Sequence, residues 1–380
     1  MAPGSTSRAF LTLTGEPMNL TDYRTLGRSG LIVSPLALGT MTYGNTAWGS
    51  ADHVSKAIFN AYVDAGGNFI DTADVYSGGR GEELVGQFIA GRGLRDQIVL
   101  ATKFGFNAQR GNPHAGGNGR KQIYRALEGS LKRLKTDYID LYWLHVYDMV
   151  TPVEEVLQTL GDLVRGGQIR YFGFSDMPAW YAMKAATLAQ TLNSPGPVAM
   201  QLEYSLVARE LENEHRPAAR EGGMGVVPWS PLAGGFLAGK YERDGENTHG
   251  EGRLSGSNPF SGPFTKFTER NWAILNTLRT VAGDIGRPPA QVALAWAAAQ
   301  PGITSTLIGA STVAQLEDNL ASLDIRLTPQ QLQALNAVSS PGMNFFSPDL
   351  RRMVFGGANV AGWGEEDFNC PGGPSNRRRE

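Results

Sequence analysis

The sequence predicts a parallel (β/α)8 TIM barrel, and three observations carry that prediction. Eight short apolar runs recur along the chain, each followed by a segment with apolar residues at helical spacing. None of the runs is followed by a G-x-G-x-x-G turn, which argues against the rival doubly wound sheet. The chain has 380 residues, 41% hydrophobic and 18% charged, enough for one large α/β barrel with a full core.

In order along the chain, residues 1–22 read as an N-terminal extension expected to be disordered, with Met18 a candidate natural start. A single barrel is expected over residues 23–340. It begins with "YRTLGRSGLIVS", a small hairpin turning at "GRSG". The eight core strands are "LALGT" (36–40), "NFIDT" (68–72), "IVLATK" (98–103) and "YIDLYWLH" (138–145), then "IRYFGFS" (169–175), "VAMQLEY" (198–204), "GVVPWS" (225–230) and "STLIGA" (305–310). Between them, "DHVSKAIFNAYVDAG", "GRKQIYRALEGSLKRL" and "PVEEVLQTLGDLVRGG" carry helical periodicity, often closed by glycine. The Gly-, Ser-, Asn- and Pro-rich segment 231–268 is too long for a plain loop and is expected to be a lid or disordered. The tail, 341–380, is irregular, yet "NFFSPDLRRMVFGG" has enough apolar residues to pack partly on the barrel.

Composition narrows the function. Formal net charge is −2 with basic residues spread out, so nothing points to nucleic acid; Arg377, Arg378 and Arg379 form a solvated basic tail. A single cysteine, Cys370, cannot form an internal disulfide, and no run reaches the roughly 18 apolar residues of a membrane span. A cytoplasmic protein with no metal site follows as the expectation. "GGFLAGKY" is a near match to a nucleotide-binding P-loop, but Tyr241 stands where the Mg²⁺-binding Ser/Thr belongs, so it is discounted.

Catalytic groups of such barrels lie at the C-terminal ends of strands. That rule selects Asp71, the following Tyr76, Lys103, His145, Ser175, Gln201 and Ser230. Singly, each is as readily a cap, a solvated side chain or a core histidine. Together, the first four suit proton transfer to an oxygen. A lysine cation favours the phenolate of a tyrosine whose free pKa is about 10, a carboxylate holds that lysine, and a histidine orients the substrate oxygen. Carbonyl reduction by a hydride donor needs that combination. A glycosidase barrel would instead need two opposed acids, which cannot be assembled here.

"GTMTYG", "FIDTADVYSGGRGEELVG", "ATKFG", "YIDLYWLHVYD", "GFSD", "MQLEYSL", "WSPLAGGFLAGKY", "PAQVALAW" and "LIGASTVAQLEDNL" occur in order. With these nine motifs in register, the chain resembles the aldo-keto reductases from residue 23 to about 338, in the branch of bacterial oxidoreductases and potassium-channel β subunits. The resemblance implies that Asp71, Tyr76, Lys103 and His145 are a catalytic tetrad. Tyr76 is then the general acid/base, Lys103 and Asp71 tune it, and His145 orients the carbonyl. It implies NADPH or NADP⁺ bound without a Rossmann fold, in a site that includes Thr40, Met41 and Asp71. Ser175 and Gln201 match the carboxamide-holding residues, and Tyr204 the aromatic position near the nicotinamide ring.

Trp229, Ser230, Pro231, Leu232 and Gly234 match the loop around the pyrophosphate, with Lys240 a cation near the phosphates and Arg253 along the adenine side. Gly309, Ser311, Gln315, Asp318 and Asn319 match the segment gripping the 2′-phosphate and adenine. Two departures matter: Asp176 follows Ser175 where many relatives have asparagine, and Gln315 stands where many NADPH-specific relatives have arginine. The second leaves NADH open beside NADPH. The implied substrate is a small carbonyl compound or its alcohol, in a pocket of Tyr43, Trp48, Tyr76, His145 and Tyr147, with tail residues Phe345 and Phe346 as further candidates. The alternative is a cofactor-binding regulatory subunit resembling channel β subunits. A homo-oligomer is compatible with either.

Overall fold

The computed structural model describes residues 17–244, 247–250, 252–254, 266–342 and 348–358. A two-stranded hairpin, β1 (Arg24–Thr25) and β2 (Ile32–Val33), precedes the first barrel strand, β3 (Leu36–Gly39). The barrel continues through β4 (Phe69–Asp71), β5 (Val99–Phe104), β6 (Ile139–Leu144), β7 (Ile169–Ser175), β8 (Ala199–Glu203) and β9 (Gly225–Trp229). A second hairpin, β10 (Tyr241–Asp244) and β11 (Asn247–Gly250), follows, and β12 (Thr306–Ile308) is the last barrel strand. Helices α1 (Asp52–Asp64), α2 (Arg80–Arg92), α3 (Arg120–Leu134), α4 (Val153–Arg165), α5 (Ala179–Thr191) and α6 (His215–Gly222) fill the crossovers between β3 and β9. Then come α7 (Glu269–Ile285), α8 (Pro289–Ala298), α9 (Val313–Leu320), α10 (Pro329–Ser339) and α11 (Pro348–Val354).

The sheet order is β12-β3-β4-β5-β6-β7-β8-β9, every pair parallel. β9 and β12 meet only by the bridge of Val226 with Ile303, where the Thr304 N–H donates to the Val226 carbonyl at 2.9 Å. Closure is therefore nearly but not fully laddered. Pro228, which has no N–H to offer, stands just past that bridge.

Side chains alternate across the barrel wall, as strand geometry requires. One set, Ala37, Phe69, Val99, Ala101, Leu141, Trp143, Ala199 and Val227, packs inside the barrel, where Leu26, Leu31 and Val33 of the hairpin plug the N-terminal end. The other set, including Leu38, Ile70, Leu100, Tyr142 and Leu144, packs outward against the helices. A Cβ on Gly173 would overlap the Trp143 ring, so glycine there gives Trp143 its room inside. Continued two residues at a time, the inward set ends at Asp71, Lys103, His145, Ser175, Gln201 and Trp229. Strand alternation alone thus delivers these six to the mouth.

Two expectations change. The segment after β9 carries a 3-10 turn (Ala233–Ala238) and the β10–β11 hairpin, anchored by buried Tyr241, whose hydroxyl accepts from the Leu254 N–H at 2.9 Å. In the tail, Leu350 is half-buried, while Met353, Val354 and Phe355 are exposed. The extension up to residue 16, Phe345, Phe346 and Cys370 lie outside the described residues.

Candidate active site

Asp71 closes β4 and is fully buried. Its Oδ1 accepts from Lys103 Nζ at the end of β5, and its Oδ2 accepts from Gln201 Nε2 on β8 at 3.0 Å. Lys103 is 1% exposed and also donates to the Thr72 carbonyl at 2.9 Å and to Tyr76 Oη at 3.3 Å. Burial opposes its charge, yet Asp71 and Tyr76 hold its pKa above the ordinary lysine value. The Asp71 carboxylate, the Thr72 carbonyl and Tyr76 Oη all accept from Lys103, which favours its charged form.

Tyr76 comes over the mouth in a short 3-10 turn, Tyr76–Gly79. Ser77 Oγ donates to the Tyr43 carbonyl at 2.7 Å, and Gly79 at φ +96° lets α2 start at once. Burial raises the Tyr76 pKa, while Lys103 and Arg253 pull it down, and burial wins. The expected sign of the lysine effect holds, but the net result is a phenol that keeps its proton. His145 follows β6, its ring centroid 6.0 Å from that of Tyr76. Burial, then Lys103, push its pKa well below the usual histidine value, so the imidazole is neutral. Its buried Nδ1 has no hydrogen-bond partner among the described residues.

The other forecast residues fall in several places. Thr40 is buried, and its N–H and hydroxyl both donate to the Asp71 carbonyl, at 2.9 and 3.0 Å; Met41 beside it is half-buried. Ser175 is 1% exposed and stands opposite Gln201 in register. Directly after β7 and β9, Asp176 (φ +45°) and Ser230 (φ +56°) take the left-handed conformation rare for such residues. Asp176 Oδ1 accepts from Trp229 Nε1 at 3.0 Å. Pro231 and Leu232 continue into a turn where Ala233, Gly234 and Gly235 all have positive φ, with the Lys240 stem against Gly235 and its residue exposed. Gly309, Ser311 and Gln315 form an open strip, with Gln315 Oε1 accepting from the Ser311 N–H at 2.9 Å. Asn319 is buried and donates to the Gly309 carbonyl at 3.1 Å, and Asp318 accepts from Gln291 at 2.6 Å, so those two brace the strip from behind.

Three residues are not where the sequence put them. Tyr43 is fully buried in the outer core, edge-on to Phe88 of α2, because the turn after β3 carries it back against the helices. Tyr204 is stacked on Trp296 at 5.3 Å and its hydroxyl donates to Glu212, so the aromatic at the mouth is Trp229 instead. Arg253 lies with its guanidinium 5.0 Å over the Trp48 ring and within electrostatic reach of Tyr76, at the catalytic mouth rather than beyond it. Tyr147, half-buried at the rim, packs on Tyr181 and Trp180 at 5.3 and 6.1 Å. Phe106 was missed. It is 46% exposed, with its ring edge-on to His145 at 4.7 Å, and its aromatic type just past the "ATKFG" strand end was the available signal.

A buried acid–lysine–tyrosine cluster beside a neutral histidine, at the C-terminal mouth of a parallel barrel, is an arrangement chemically able to pass a proton to or from an oxygen. The aldo/keto reductase family model matches residues 35–340, and the chain belongs to that family. It is 36% identical to a probable voltage-gated potassium channel subunit beta of Oryza sativa subsp. japonica, over 83% of this chain and 96% of the relative. It is equally 36% identical to the uncharacterized oxidoreductase YrpG of Bacillus subtilis (strain 168), over 86% and 98%. An aryl-alcohol dehydrogenase [NADP(+)] of Phanerodontia chrysosporium is 34% identical over 84% and 86%.

Proposed function

We propose that the protein is an NADP(H)-dependent enzyme that interconverts an aldehyde or ketone with its alcohol, with Tyr76 as general acid and base. The observation that carries this reading is Lys103 bridging Asp71 and Tyr76 at the barrel mouth. The residues present fit a nicotinamide dinucleotide. Ser175 and Gln201 offer polar atoms at the mouth, the turn from Ser230 to Gly235 with Lys240 beside it suits a pyrophosphate, and the Gly309–Ser311–Gln315 strip with the α9 start suits the adenosine end. When bound, the cofactor supplies the hydride and takes it back in the reverse direction.

The chain's own groups manage the proton. Protonated Tyr76 and the neutral His145 ring can both hydrogen-bond a substrate oxygen. As that oxygen gains negative charge, Tyr76 gives up its proton, and Lys103 stabilises the phenolate left behind. Asp71, held by Gln201, keeps Lys103 charged and in position. In alcohol oxidation the same groups run in reverse, with the phenolate as base. The regulatory-subunit alternative draws on the relatives bearing that name, but the intact proton-transfer group supports the enzyme.

A single barrel over residues 23–340, flanked by the extension and tail, and a cytoplasmic location belong to the same proposal. Among the described residues no helix is long and apolar enough to cross a membrane. The test is a panel of aldehydes and ketones followed at the nicotinamide absorbance. We expect NADPH consumption that depends on the carbonyl compound, and a lower dissociation constant for NADPH than for NADH. No turnover across the panel contradicts the reductase, and equal constants contradict the 2′-phosphate strip.

A further inference from the structure

On the helix side of the barrel wall, behind the tetrad, lies a second group of buried charges that the reduction does not use. Glu82 of α2 is fully buried; its Oε1 accepts from Thr102 Oγ1 and its Oε2 from Arg133 Nε of α3, both at 2.6 Å. Asp74 sits between this pair and the tetrad, in the turn that joins Asp71 to Tyr76. It is 7% exposed, and its N–H donates to the Lys103 carbonyl at 3.1 Å. Its Oδ1 is buried without a hydrogen-bond partner among the described residues, as are Tyr142 Oη on β6 and Thr72 Oγ1.

The charges facing Asp74 are Glu82 from α2, Arg133 from α3 and Lys103 from β5, with the Tyr142 phenol from β6. Both cations are already paired, Lys103 with Asp71 and Arg133 with Glu82. An ionised Asp74 is thus a third carboxylate against two cations, away from solvent. Burial, with Glu82 adding to it, pushes its carboxyl up to about 7.

We infer that Asp74 is a positioning residue that sets the charge behind the tetrad: protonated, it leaves the two buried ion pairs balanced, and ionised, it adds a third carboxylate beside the Lys103–Asp71 pair that holds the proton on Tyr76. The sign follows from electrostatics. A negative charge near Lys103 and Tyr76 makes the phenolate less favourable, so it slows alcohol oxidation, where Tyr76 must act as base. The coupling runs through Lys103, the tetrad group whose charge reaches Asp74, so ionised Asp74 offsets part of what Lys103 does for the phenolate.

This inference rests on the carbonyl–alcohol reading, so the experiment has two arms. In the first, kcat/KM for alcohol oxidation at saturating NADP⁺ is measured for the wild type and Asp74→Asn from about pH 5.5 to about pH 8.5. The ratio of variant to wild type should be near one at the acid end and rise severalfold at the basic end. A ratio that is flat with pH, whatever its height, overturns the inference, because a purely structural role moves the rate and not its pH dependence. In the second arm, wild-type protein with carboxyl-¹³C aspartate is titrated by NMR, the Asp74 signal assigned by its loss in Asp74→Asn or Asp74→Glu. A midpoint near neutrality supports the inference even where no alcohol is oxidised or Asp74→Asn fails to fold. A midpoint at the ordinary carboxylate value, about 4, overturns it and leaves the carbonyl–alcohol reading standing.

Discussion

Asp71 has both carboxylate oxygens engaged, one by Lys103 and one by Gln201, with no exposure to solvent. Its charge is tolerable only because Lys103 answers it. Lys103→Met should therefore destabilise the fold by about 3–5 kcal/mol, since an unanswered carboxylate remains buried. Urea unfolding at neutral pH measures this, and adding Asp71→Asn to Lys103→Met should restore part of the loss. At this scale the sequence was a good guide to identity and a poorer one to environment. Asp71, Tyr76, Lys103 and His145, which lie together at the mouth, could be picked out from strand ends and resemblance. That burial outweighs Lys103 at Tyr76 could not, because desolvation depends on what packs around the ring. The same gap explains Tyr43 and Tyr204: each is an aromatic beside a strand end, and only the strand's local rotation decides whether it meets the mouth or the helices.

Elements were the most legible level. The eight apolar runs became eight strands within two residues at every end, because parallel strands buried on both faces must read as continuous apolar runs. What periodicity does not encode is how closely neighbouring helices approach. A Cβ on Gly86 of α2 would stand 2.5 Å from the Leu134 carbonyl oxygen at the end of α3. Gly86→Ala must therefore push α2 away from α3 and strain the Glu82–Arg133 pair between them. A loss of about 1–3 kcal/mol in unfolding free energy is expected, measured by denaturant titration, with the m-value unchanged. The segment after β9 shows the reverse failure. Its Gly- and Ser-rich composition pointed to a lid or disorder, yet Tyr241 and Leu254 tie its described part into the core. A few buried anchors can organise a chain whose average composition is polar.

At the scale of the whole molecule, the barrel brings side chains from strands more than a hundred residues apart onto one buried hydrogen-bond network, as Gln201 and Asp71 illustrate. Alternation decides which of them face inward, and the parallel register decides that they face inward at the same end. The site's chemistry is thus a property of closure, legible in outline from the strand count and in detail only once the strands are in register. Arg253 is the clearest example, because a residue far along a long connection reaches the catalytic mouth through a path no spacing rule describes. In the proposed reaction, Tyr76 moves the proton while other residues hold the cofactor. Its most direct test is Tyr76→Phe, assayed for aldehyde reduction and, on the same sample, for NADPH binding by fluorescence. A fall in kcat of at least about a hundredfold is expected, with the NADPH dissociation constant essentially unchanged. Turnover near the wild-type rate would contradict it.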